Sequence, residues 1–114
     1  MRAVAAPIAL TDAATIATDA SLTNRFTVTL GGNRTLGIPT NPTNGQSVEW
    51  EIKQDGTGSR TLTLTASGSG CFEYGTDITS ITCTTTAAKV DMLRAVYNST
   101  SARWRVAGFI KGFS

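Results

Sequence analysis

The feature that most constrains this chain is the alternation in residues 46–65, which read QSVEWEIKQ, then DGTGS, then RTLTLT. Val48, Trp50 and Ile52 fall at every second position with Glu49, Glu51 and Lys53 between them, the period of a strand with one dry and one wet face. Leu62 and Leu64 alternate in the same way with Thr61, Thr63 and Thr65, and β-branched threonine suits a pleated, half-exposed surface better than a helix. Asp55-Gly56 and Gly58 supply the positive-φ positions of a short loop, so the two arms are predicted to pair as an antiparallel hairpin with their apolar sides together. The rest of the chain is expected to pack on that apolar side.

The remaining segments read mostly as strands. Phe26, Val28 and Leu30 alternate with threonines, Gly31-Gly32-Asn33 gives a turn, and residues 34–38 return with Leu36 and Ile38 on one side. A short strand is expected within residues 14–22 and a surface loop over residues 39–45, where two prolines, two asparagines and a glycine rule out a central strand. Residues 78–86 are β-branched nearly throughout and are predicted to form a strand. Over residues 89–97 a helix competes, because Val90, Leu93 and Tyr97 fall at i, i+3 and i+7. The turn-like residues 98–102 and the alternation of Trp104, Val106 and Ile110 favour a second antiparallel hairpin instead, with Gly108 marking a bulge or a close backbone approach. About seven to eight strands with regular turn signals predict an all-β fold, an antiparallel β-sandwich or jelly-roll-like barrel. Residues 1–13 read as an N-terminal arm and residues 14–114 as one domain.

Composition removes much of the chemistry. Charged residues make up 16% of the 114 residues, and the ten basic ones are scattered, so a net charge of +2 offers no footprint for nucleic acid. No apolar run is long enough for a membrane helix, and residues 1–10 lack the pattern of a secretion signal, which leads us to expect synthesis in the cytoplasm. With no histidine, Ser-His and Cys-His catalysis and the common zinc hydrolase sites are excluded. Glu49 and Glu51 share a strand face roughly 7 Å apart, within glycosidase range, but a solvated face is the simpler reading. Gly56 to Ser59 lacks the following Lys-Ser/Thr of a phosphate loop, and Asp55, Asp77 and Asp91 lack calcium-site spacing. Cys71 and Cys83 read as two small buried thiols, with a disulfide as the alternative, and Trp50 and Trp104 as core anchors. No catalytic, cofactor or metal residues are therefore expected.

A β-domain with so few charges has little to protect its sheet edges, which leads us to expect a homo-oligomer, a trimer or a lattice-bound form in which neighbouring subunits hide those edges. The strings ATIATDASLTNRFTVTL, GNRTLGIPTNPTNGQ, EIKQDGTGSRTLTL, FEYGTDI and VYNSTSARWRV, spread over residues 14–112, resemble a module of virion structural proteins of tailed bacteriophages, especially those of actinobacteria. The resemblance implies a non-enzymatic, all-β assembly role in the head or in the tail, and Cys71 and Cys83 are not part of the shared pattern. A free-standing domain of this size with a short apolar arm has the form of a head decoration, or cement, protein on the capsid exterior. Arg2, Val4, Ile8 and Leu10 are then expected to dock on the major capsid protein. The alternative is a tail-tip or tail-fibre module that binds host carbohydrate through residues 39–45, Phe72 and Tyr74.

Overall fold

The computed structural model describes residues 6–114, and these contain strands, turns and irregular segments without a helix. In chain order the strands are β1 (Ile8–Ala9), β2 (Thr15–Ile16), β3 (Arg25–Leu30), β4 (Arg34–Leu36), β5 (Ser47–Gln54), β6 (Leu62–Leu64), β7 (Cys71–Glu73), β8 (Val90–Asn98) and β9 (Arg103–Phe113). They form a larger sheet, ordered β1-β3-β5-β8-β9-β7, and a smaller one, ordered β2-β4-β6.

The chain passes from the larger sheet to the smaller three times, at β1–β2, β3–β4 and β5–β6, and each new pair of strands lies parallel on the last. Ile8 pairs with Phe26 and Phe26 with Trp50 in the larger sheet, while Thr15 pairs with Thr35 and Thr35 with Thr63 in the smaller. Residues 8–64 are thus a parallel coil of three levels. A further parallel bridge, Asp19 to Thr40, joins the first two levels on the return path.

This overturns the hairpin predicted for residues 46–65. Both edges of β5 are occupied, one by β3 in parallel and the other by β8 in antiparallel register, so β6 finds its partner in β4 on the other sheet. Strands β3 and β4 are likewise split between sheets. The antiparallel expectation holds only for β5–β8 and β8–β9; the other pairs are parallel. The alternation itself is kept, because β5 buries Val48, Trp50 and Ile52, and β6 buries Leu62 and Leu64.

Side-chain clasps at the corners turn the chain from sheet to sheet. Gln54 is buried, and its amide donates to the Arg60 carbonyl at 2.8 Å while its oxygen accepts the Arg60 N–H at 2.9 Å. Asp55 Oδ1 then accepts the N–H groups of Thr57 and Gly58 at 3.0 Å each, and Asp55 Oδ2 accepts Arg60 Nη2 at 3.0 Å. These bonds fix an arch rather than a hairpin turn. The corners are also tied level to level. Asp12 accepts Arg34 Nε at 2.8 Å, Arg34 Nη2 at 3.0 Å and the Gly31 N–H at 3.1 Å, and Asn33 Oδ1 accepts the Thr61 N–H at 3.1 Å.

The second hairpin forms as the sequence predicts, with β8 a strand throughout and β9 antiparallel to it. Register shifts where Arg94 pairs with Gly108 and Ala95 with Val106, leaving Ala107 as the extra residue beside the glycine. The strand predicted for residues 78–86 is absent. Thr84 instead gives its N–H and hydroxyl to the buried carboxylate of Asp91, at 2.7 and 2.8 Å, and Thr85 takes the Ser59 N–H on its carbonyl at 2.7 Å. β-Branching favours an extended backbone, but here the Thr84 N–H that a ladder would use is spent on a side chain.

One core takes side chains from both sheets, with Trp50 near its middle. The Trp50 ring lies 5.5 Å from Phe72 and 6.0 Å from Trp104 edge-on, and 6.4 Å from Phe26. Such aromatic pairs add about 0.5–1.5 kcal/mol each beyond burial. The Trp50 Nε1 donates to Thr18 Oγ1 at 3.1 Å, so the deepest indole is also hydrogen-bonded. Both tryptophans are fully buried, the core-anchor role read from their phase along the strands.

Candidate interaction surface

The two ends of the coil differ. At the third level β8 covers β5, and residues 83–88 lie against β6 and the Asp55 corner. At the first level, β1 and β2 are the outermost strands of their sheets, and no described residue adds a further strand to either. Beside them is an open groove of about 490 Å³, lined chiefly by Ile8, Leu10, Ala17, Leu22 and Phe26. Among the described residues Asp19 is the one charged residue in its lining.

Leu22 projects from this rim, 61% exposed. The turn that carries it is rigidly held. Asp19 Oδ1 accepts the Ser21 N–H at 3.0 Å, the Ser21 hydroxyl at 2.7 Å and Asn41 Nδ2 at 3.1 Å, while the Asp19 carbonyl accepts the Leu22 N–H at 3.2 Å. The bonds from Ser21 and Asn41 hold the Asp19 carboxyl below the ordinary aspartate value. The exposed leucine is thus continuous with the apolar lining of the groove.

Of the expected capsid-docking residues, Arg2 and Val4 lie outside the described residues. Ile8 and Leu10 are half-buried against the core, and the Leu10 N–H donates to the Thr27 carbonyl at 2.7 Å. Residues 8–13 are therefore built into the first level of the coil, through β1 and the Asp12 clasp. Ile8 and Leu10 reach a partner only as lining of the groove. Leu22 was not singled out in the sequence: the turn at residues 19–21 is legible, but the exposure of the leucine after it follows from a coil that the alternation does not reveal.

Other candidates fall away on geometry. Phe72 is buried under Trp50 and Tyr74 is half-buried, its hydroxyl pushed upward in pKa by that burial, so neither forms an aromatic platform beside residues 39–45. Glu49 faces Arg25 across β3 and β5 at 3.4 Å, an exposed pair on the wet face. Cys71 and Cys83 are both free and buried, and burial, aided by the nearby Asp91, pushes the Cys83 thiol up to about 11. Among the described residues no group of acidic, cysteine or histidine side chains could hold a metal ion, and no helix is long and apolar enough to cross a membrane. No family model, curated protein or solved structure matches this chain.

Proposed function

We propose that this chain is a non-enzymatic structural module of a phage virion: a head decoration protein that docks on the major capsid protein from outside and stabilises the shell. The observation that carries the reading is the first level of the coil, to which no described residue adds a cap, and where a mostly apolar groove and the exposed Leu22 stand beside two outermost strands. Coiled repeats need a polar cap on each terminal level, and an end without one calls for a partner. The virion setting rests on the resemblance of the strings over residues 14–112 to a module of phage structural proteins. In this reading the two sheets around one core act as a sandwich-like knob, three copies assemble at each capsid site, and the groove end faces the capsid.

The test is co-sedimentation of the purified protein with expanded capsids. Leu22→Asp is expected to keep its fold, since the side chain is mostly exposed, and to lose capsid binding. Removal of residues 1–5 asks separately whether Arg2 and Val4 contribute. Full binding by Leu22→Asp would contradict the proposed face. Specific binding of the isolated domain to a host glycan, without capsid binding, would favour the tail module instead.

A further inference from the structure

Asn44-Gly45 is the chain's one Asn-Gly pair, and it sits at an exposed turn before β5. Asparagine followed by glycine is chemically vulnerable, because no side chain shields the glycine nitrogen and its backbone is free to bring that nitrogen onto the asparagine side chain. We infer that Asn44 is a spontaneous deamidation site that the native fold holds closed.

The reaction needs a base to take the Gly45 amide proton. The nitrogen then attacks Asn44 Cγ, a new N–C bond closes a five-membered succinimide, and the bond from Cγ to the side-chain nitrogen breaks with release of ammonia. Water opens the ring at either carbonyl, leaving aspartate or isoaspartate. The overall change is asparagine plus water to acid plus ammonia, without an oxidant or a cofactor.

Both reacting atoms are pinned away from that path. The Gly45 N–H donates to the Tyr97 carbonyl at 2.8 Å, and Tyr97 returns its own N–H to the Gln46 carbonyl at 2.9 Å, so the nucleophile belongs to the end of the β5–β8 ladder. Asn44 Oδ1 accepts the Ser99 N–H at 2.9 Å, which fixes the electrophile against the β8–β9 turn. The turn is closed on its own side as well. Gln46 N–H donates to the Thr43 carbonyl at 3.0 Å, the Thr43 N–H donates to Gln46 Oε1 at 3.0 Å, and Gly45 has φ of 83°, the third position of a type II turn. Succinimide formation requires the Gly45 and Ser99 bonds to open together. Its rate therefore reports how often this corner of the sheet comes apart. Once formed, isoaspartate lengthens the backbone at the point where the loop before β5 is tied to the β8–β9 turn.

The experiment incubates the full chain at mildly alkaline pH, folded and in concentrated urea, and follows isoaspartate by peptide mapping. Asn44 should be the first asparagine to react in urea, ahead of Asn33 and Asn98, and to react at least about tenfold more slowly in the folded protein, as for a segment that opens only a minority of the time. Ser99→Pro, which has no N–H to give Asn44, should speed the reaction in protein that circular dichroism shows to be folded. If Ser99→Pro fails to fold, the comparison of folded and unfolded wild type decides alone. Equal rates in the two states, or no reaction at Asn44 in urea, would overturn the inference.

Discussion

Replacing Gly58 with alanine tests the arch between β5 and β6. Gly58 has φ of 74°, and a Cβ built there would lie 2.6 Å from the Thr85 carbonyl oxygen and 2.9 Å from the Ala87 nitrogen. Both are backbone atoms of the segment that seals the third level, so no side chain can swing aside to make room. The left-handed conformation costs alanine about 1–2 kcal/mol, and forcing the backbone apart adds about 1–3 kcal/mol. Loss of glycine's freedom in the unfolded chain offsets about 0.4–1 kcal/mol. The net loss is about 1–5 kcal/mol, which for a domain of this size lowers the melting temperature by about 4–20 °C. Gly56→Ala, two residues away, meets nothing within 4 Å and needs no positive φ, so it should leave the melting temperature unchanged or slightly raised. Differential scanning calorimetry on the pair separates the arch from an ordinary hairpin loop. Two alanine variants that melt within about 2 °C of each other, a difference of well under 1 kcal/mol, would refute the close approach of residues 85–87.

Other outcomes follow from the same structure. Thr18→Val leaves the buried Trp50 N–H without its acceptor and should cost about 1–3 kcal/mol in urea unfolding, whereas Thr15→Val, at an exposed site, should cost little. Hydrogen bonds from Arg34 hold the Asp12 carboxyl below its ordinary 3.8. The stability this gives is present above pH 3.8 and lost as pH falls through the lower folded-state value, so Asp12→Asn should flatten the acid limb of a plot of urea midpoint against pH. The Cys83 thiol, raised by burial from 9.0 to about 11, favours the folded state below pH 9.0, and that contribution is lost progressively between the two values. Stability should accordingly decline on the alkaline side, more steeply than in Cys83→Ala, and Ellman's reagent should label Cys83 at about pH 8 only after unfolding.

What could be read from the sequence was which face of each strand is dry, and not which strand lies beside it. Val48, Trp50, Ile52, Leu62 and Leu64 are buried as the period of two requires, since alternation is a property of one strand against one core. Pairing depends on which edges are free, and β8, some forty residues downstream, takes the edge that the predicted hairpin needed. Asp55 and Gly58 looked like hairpin residues because the same turn chemistry serves an arch; what distinguishes the arch is the clasp of the buried Gln54 on Arg60 and the approach of Thr85, the second of which is not local. Helix lost to strand at Val90–Asn98 for a reason that was local, the turn and second alternating run that follow it. Of the candidate surface, Ile8 and Leu10 were marked from their apolar character, whereas Leu22 became visible only with the first level of the coil.

The parallel coil is the claim on which the proposed docking face depends, because that face is the first level of the coil. Backbone nuclear Overhauser contacts in isotope-labelled protein test it directly. The account predicts contacts between β3 and β5 that climb in the same direction along both strands, from Arg25 with Glu49 to Leu30 with Gln54, and likewise between β4 and β6. Contacts that run in opposite directions between residues 48–54 and 61–65 would restore the hairpin and contradict the coil.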